Sequence, residues 1–166
     1  MTRLTTIELD KEYLKFSAAH FTIFSAVDRE RLHGHNFSVA ARLVAPVDDN
    51  GMCFRYDLFK QHLRKLCNTL DEYTLLPEHS PHLTIEEHGD NYRARFNQEE
   101  MFFLKSDTRV LPVRNTTVEE LSHYLLSHLL LDDTIVADNG INSIAISVAS
   151  GPGQRGYSHW QSPATS

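Results

Sequence analysis

Apolar side chains recur along this chain with periods that change from segment to segment, and the changes divide it into elements. Leu4, Ile7, Leu9, Tyr13, Leu14 and Phe16 fall in an extended, partly alternating order, which predicts one long strand ending at His20. His33 to Val44 reads as a second strand, alternating in part and apolar in part, and residues 21–32 as the loop between the two. Strands joined by a short loop pair antiparallel. Asp48-Asp49-Asn50-Gly51 is a turn signal. Beyond it, Met52 to Tyr56 either closes a hairpin or leads into a helix. Asp57 is a suitable N-cap for a helix from about Leu58 to Thr69, with Phe59, Leu63, Leu66 and Leu70 as its apolar face and His62 and Cys67 at the edges of that face. Leu70 to Pro77 reads as a connector.

Residues 78–113 read as an elaboration containing three strand-like runs, Leu83 to Glu87, Tyr92 to Phe96 and Met101 to Leu104. His88-Gly89-Asp90-Asn91 predicts a hairpin between the first two. His79, His82 and His88 lack ligand spacing and are expected at the surface. Thr116-x-x-Glu119 and Thr117-x-x-Glu120 both fit a capping box for a helix running to about Leu131, with Val118, Leu121, Leu125 and Leu129 inward. Asn139-Gly140 turns into a strand from Ile141 to Ala149 with Ile144, Ile146 and Val148 on one face. Gly151-Pro152-Gly153 breaks it, and Gly156 to Trp160 forms a last strand. Antiparallel strands with two helices gathered on one face make an α+β layer. The chain is expected to be a single domain over 1–160, with 161–166 as a loose tail.

Charge narrows the partners. Asp and Glu outnumber Lys and Arg by 22 to 16, a net charge of −6, and no basic cluster occurs. That argues against nucleic acid and anionic membrane surfaces. No apolar run is long enough to span a bilayer, and Met1 to Thr6 lacks the apolar core of a signal peptide. Cys53 and Cys67, the two cysteines, suit free thiols in a reducing cytoplasm.

The candidate chemistry lies in His33-Gly34-His35. Histidines at i and i+2 share one face of a strand, while Gly34 faces the other way and lets a second backbone approach. Antiparallel pairing with the first strand brings His20 beside them. Three imidazoles around one point, with a fourth position open, describe a catalytic zinc site. Spacing alone leaves them equally open to being surface histidines of a chain that holds 10.

Phe16-Ser17-Ala18-Ala19-His20 followed by Leu32-His33-Gly34-His35-Asn36-Phe37 resembles the zinc motif of the 6-pyruvoyltetrahydropterin synthase and 6-carboxytetrahydropterin synthase family. Gly51-Met52-Cys53-Phe54-Arg55-Tyr56-Asp57, Leu70-Asp71 and Asn115-Thr116-Thr117-Val118-Glu119 resemble further family segments, in family order. The resemblance implies the T-fold (tunnelling fold). In it the strands of several subunits join into a barrel, the assembly is a homohexamer of two trimers, and sites lie between subunits. It implies Zn²⁺ held by His20, His33 and His35, and lyase-type chemistry on 7,8-dihydroneopterin triphosphate or a related pterin. Thr116, Thr117 and Glu119 would help bind that pterin.

Three positions depart from the family pattern. Arg29 stands where a cysteine base is usual, Glu72 where a histidine follows the helix-end aspartate, and Ala149 where a late-strand glutamate anchors the pterin. Arginine stays protonated and cannot serve as the base. Glu30, three residues before His33, resembles the family's glutamate variant, which cleaves the side chain to 6-hydroxymethyl-7,8-dihydropterin. A desolvated pocket would raise its pKa toward the working pH. Asp71 is the alternative proton carrier. The other readings are a zinc-binding relative that holds a pterin-like ligand without the standard turnover, and an enzyme for a different substrate whose pocket residues 78–113 reshape.

Overall fold

A 14-residue strand, β3 (His33–Pro46), runs through the middle of the main sheet and pairs along both edges. The structure is a computed structural model and describes residues 3–163. Two strands share one edge of β3. The strand β1 (Leu4–Leu9) pairs with its second half, from Leu4 opposite Pro46 to Leu9 opposite Ala41. Next, β2 (Lys15–His20) pairs with its first half, from Lys15 opposite Ser38 to His20 opposite His33. The single strand expected over this stretch is therefore interrupted. Between the halves the chain turns, with Leu14 N–H donating to the Lys11 carbonyl at 2.9 Å and the Leu14 carbonyl accepting from Val39 N–H at 2.8 Å. The interruption buries Leu14 in the core, at 1% exposure, although an unbroken strand would have kept alternation.

Helix α1 (Tyr56–Asn68) starts two residues before the expected point. Arg55 is its N-cap and makes no side-chain capping bond. Asp57 lies in the first turn and pairs with Arg55 at 2.7 Å, so it complements the helix dipole rather than capping. No hairpin forms at Met52, since the chain passes directly into the helix. Phe59, Leu63 and Leu70 are buried as expected, and Cys67 is core, not edge. Burial pushes the Cys67 thiol up to about 12, so it is an inert apolar filler.

The expected connector after α1 contains a strand, β4 (Tyr73–Pro77), parallel to β2 on one side and to β8 (Thr108–Leu111) on the other. The main sheet is thus antiparallel through β1, β2 and β3 and parallel at its β4–β8 edge. Glu72 enters β4 with φ 64°, a left-handed conformation uncommon outside glycine, and its N–H donates to the Ser17 carbonyl at 2.7 Å. Arg109 lies 3.9 Å from the centre of the Tyr73 ring and donates to the Thr69 carbonyl, locking β8 against the end of α1.

Between β4 and β8 lie the three expected strands, β5 (Leu83–His88), β6 (Asn91–Phe96) and β7 (Glu99–Leu104). They form a separate antiparallel sheet, and His88 opposes Asn91 across the Gly89-Asp90 turn. A 3-10 turn, Lys105–Asp107, leads to β8. His79, His82 and His88 are exposed, as expected.

Helix α2 (Val118–Leu129) packs on the main sheet, with Leu121, Leu125 and Leu129 fully buried. Of the two capping boxes, the one led by Thr117 forms by half, its carboxylate closing on a residue before the cap rather than on the cap's own N–H. Thr117 is the N-cap and accepts from Glu120 N–H, while the Glu120 carboxylate accepts from Arg114 N–H at 2.8 Å. A short helix not expected from the sequence, α3 (Asp133–Ala137), follows at once, capped by Asp132. Strands β9 (Ser143–Gly151) and β10 (Gln154–Gln161) complete the sheet. Gly156 is where α2 meets β10. A Cβ there would lie 2.7 Å from the Val118 carbonyl carbon, so only glycine permits this approach. Gly34, by contrast, would meet only the Ala18 carbonyl, at an ordinary 3.6 Å. β10 extends to Gln161, and residues 164–166 of the expected tail lie outside the described residues. Among the described residues, no helix is long and apolar enough to cross a membrane.

Candidate metal centre

The register of β2 on β3 builds the site. His20 sits directly opposite His33, and His35 lies two residues further along the same face. That face continues inward as Phe37, Val39, Ala41, Leu43 and Ala45, all buried. The histidines are the solvent end of a core-facing row. Their rings cluster at centroid distances of 4.8–5.2 Å, and the His20 ring lies edge-on to Phe37, which stacks on Phe16.

Hydrogen bonds select the tautomers. His20 Nδ1–H donates to the Thr116 carbonyl at 2.7 Å, and His33 Nδ1–H donates to the Arg31 carbonyl at 2.7 Å. Each ring then directs the lone pair of Nε2 into the cluster. His20 Nε2 is buried and has no hydrogen-bond partner, which is costly for a ring nitrogen unless something else occupies its lone pair. His33 Nε2 and His35 Nε2 lie 3.0 Å apart. Two nitrogens bound to one tetrahedral zinc at the usual bond length lie about 3.3 Å apart, so this spacing suits a shared ion. Among the described residues these three form a group whose ligand atoms all lie within 4.8 Å of one another. Burial pushes the His20 imidazole below its ordinary pKa, with His33 and His35 adding to the effect and the Thr116 carbonyl opposing it. A neutral imidazole is the form that binds a metal.

The cluster opens into a cavity of about 530 Å³, whose wall includes Thr22, Glu30, Thr117, Glu119, Ser150 and Arg155. Glu30 Oε2 lies 3.9 Å from His33 Nε2 and accepts from Thr22 N–H at 2.9 Å. Burial works to raise the Glu30 carboxyl, but the hydrogen bonds at Thr22 and the neighbouring His33 and His20 outweigh it and hold the pKa below its ordinary value. The rise expected from desolvation is therefore corrected. The donors around Glu30 favour the charged form more than its partial burial penalises it.

The predicted substrate residues divide. Thr117 and Glu119 line the cavity, but Thr116 does not. Its hydroxyl is buried and donates to the Phe21 carbonyl at 3.0 Å, while its own carbonyl orients His20. Thr116 thus acts on a ring of the cluster through its backbone. Asp71 is not brought to Glu30 within one subunit. Its carboxylate accepts from Ser17 N–H at 2.7 Å, three residues before His20 along β2. Glu72, next to it, lines a different cavity with Gly34 and Asn36. Arg155, in the wall, carries no spacing signal in the sequence. It reaches the cavity through a β-bulge between Gln154 and Gly156.

Strands, cavity and imidazole cluster together place the chain among the T-fold proteins with a histidine-lined site. The model of the 6-pyruvoyl tetrahydropterin synthase family matches residues 8–148, and the chain belongs to that family. A putative 6-carboxy-5,6,7,8-tetrahydropterin synthase of Methanocaldococcus jannaschii is 25% identical over 142 residues, covering 85% of this chain and 86% of that one. The 6-pyruvoyltetrahydropterin synthase of Plasmodium vivax, in a structure described as that of a catalytic-residue mutant with glutamate replaced by alanine, superposes with a TM-score of 0.90 at 28% identity. The superposition covers 96% of this chain and 99% of that one. The Plasmodium falciparum enzyme superposes with a TM-score of 0.89 at 28% identity, over 95% and 98%.

Proposed function

We propose that the chain is a zinc-dependent enzyme with lyase-type chemistry on 7,8-dihydroneopterin triphosphate or a related pterin. The observation that carries this reading is the convergence of three Nε2 atoms, one of them buried and unpartnered, with the Glu30 carboxylate beside them in one cavity. Zinc bound there would act as a Lewis acid on a substrate oxygen. Glu30, charged at neutral pH and fixed by Thr22 N–H, is placed to take a proton from substrate held at the open side of the cluster. The glutamate described as catalytic in the Plasmodium vivax enzyme supports giving this role to a carboxylate. Thr117 and Glu119, at the start of α2, offer hydrogen-bond partners to the ring of the pterin.

The second reading, a relative with a different ligand, is favoured by β9 and β10. Ala149 is buried and offers no carboxylate, and Arg155 adds a cation to the wall. Incubation of the zinc-loaded protein with 7,8-dihydroneopterin triphosphate, followed by product analysis, decides between the two. Release of triphosphate or cleavage of the side chain supports the first, and unchanged substrate supports the second. A homohexamer is the proposed assembly. It would allow the Asp71 turn of one subunit to approach a neighbour's histidine cavity, and light scattering tests it.

A further inference from the structure

Arg29 is held on every side. Its Nε and Nη2 donate to Glu99 Oε2 at 3.1 and 2.5 Å, and its Nη1 donates to the Glu30 carbonyl at 2.9 Å. Its Cζ lies 5.3 Å from the centre of the Phe21 ring and 5.6 Å from that of Phe96. The side chain is only 18% exposed. These partners belong to two different parts of the fold. Phe21 follows the ring-bearing His20, whereas Phe96 and Glu99 belong to the three-stranded sheet. Phe21, Ile23, Leu76, Leu83, Ala94 and Phe96 make a second hydrophobic core, separate from the main one. The loop from Phe21 to Leu32 is therefore seated on the small sheet, and Arg29 sits where they meet. Inside the loop, Glu30 N–H donates to the Thr22 carbonyl at 2.8 Å, and Ile23 bridges Arg29.

We infer that Arg29 is a positioning residue. Together with Glu99 and the small sheet, it fixes the peptide that carries Glu30, and so keeps the Glu30 carboxylate on Thr22 N–H and beside His33. This deepens the proposed function and rests on it, since Glu30 is the group being positioned. Arginine suits the task because its planar fork serves a carboxylate and a carbonyl at once while its face lies over aromatic rings. Lysine has a compact charge and cannot do all three. An ion pair at the rim of a protein contributes little by itself. The bond to the Glu30 carbonyl is what gives this pair a consequence for the site. A reacting group displaced by about 1 Å can lose on the order of 100-fold in rate.

The test uses the full zinc-loaded chain with Arg29→Ala, Arg29→Lys and the exchange pair Arg29→Glu with Glu99→Arg. Four quantities are read: metal content, kcat and KM, thermal midpoint, and hydrogen exchange of the Thr22 amide. Arg29→Ala and Arg29→Lys should keep the metal and leave KM within about twofold, while kcat falls roughly 10- to 100-fold. Thr22 exchange should accelerate in both. The exchange pair restores the ion pair but not the donor to the Glu30 carbonyl. It should therefore recover the thermal midpoint and not kcat. Full recovery of kcat in the exchange pair would reduce Arg29 to docking the small sheet and overturn the inference. So would wild-type kcat and Thr22 protection in Arg29→Ala. Should Arg29→Ala fail to fold, Glu99→Gln reads the same quantities, with a smaller change in the same direction expected and no change overturning the inference. If the unmodified protein turns over no pterin, the functional reading fails on its own. Thr22 exchange then decides the positioning role, acceleration in Arg29→Ala supporting it and unchanged protection overturning it.

Discussion

The two sheets of this protein put their faces to different uses. In the main sheet the inward row of β3 begins as His33 and His35 and continues as buried Phe37, Val39, Ala41, Leu43 and Ala45, so the site is an extension of the core. In the small sheet one face closes over Phe21 and Ile23, while the other leaves Phe102 and Leu104 about half exposed beside charged pairs such as Arg93–Glu86 and Arg95–Glu100. One sheet holds the candidate site because its three histidines are fixed by the packing behind them. The other holds none of the cluster and acts through what it supports. Substitutions should therefore have effects that differ in kind as well as in size between the two.

The largest expected effect is on metal. His33→Ala should take zinc from about one ion per chain, the stoichiometry of a single three-ligand site, to near zero. Metal analysis of the purified variant checks it, and unchanged content removes the site as described. Glu30→Gln comes next. It should lower kcat by about 10²- to 10⁴-fold with zinc retained, the range for losing a general base. A wild-type rate in Glu30→Gln together with a dead Asp71→Asn would move the role to Asp71 and to a neighbouring subunit.

Stability effects follow. Leu125 is fully buried between α2 and the sheet, and Leu125→Ala should destabilise by about 2–5 kcal/mol in chemical denaturation. Gly156→Ala should destabilise by about 1–3 kcal/mol, since its Cβ would press on the backbone of Val118 and Glu119. Because those two residues adjoin the cavity, that variant should also alter KM, which Leu125→Ala should not. A shared effect on KM would mean that core and site are less separable than the comparison holds.

The parts of the molecule that were legible in the sequence are those with a local cause. His20, His33 and His35 met because a period of two and one antiparallel pairing suffice to place them. The inward faces of α1 and α2 followed from helical spacing, and the Gly89-Asp90 hairpin from its turn residues. What was hidden depended on distant partners. β4 is a strand because β2 and β8 flank it in parallel, and nothing in Tyr73 to Pro77 announces that. The resemblance gives Thr116 to the substrate, yet its hydroxyl is engaged by Phe21, 95 positions away. The shift of Glu30 reversed because Thr22 N–H, His33 and His20 act on it from positions fixed by the fold.

The smallest expected effect lies on the outer face of the small sheet. Phe102 sits on β7, 52% exposed, with His88 as its aromatic neighbour at 5.7 Å. Its strand neighbours Met101 and Phe103 point the other way, onto the second core. Phe102→Thr keeps a residue with strand preference and removes apolar area that water already reaches. Stability should stay within about 0.5 kcal/mol of the parent, as for most surface positions. Metal content and kcat should not change, because Arg29 and Glu99 meet at the other end of β7. The measurement is a denaturation midpoint alongside kinetics. A loss of several kcal/mol would show that this face is covered in the folded assembly, and a loss of kcat would show that the small sheet reaches the site by a route other than Arg29.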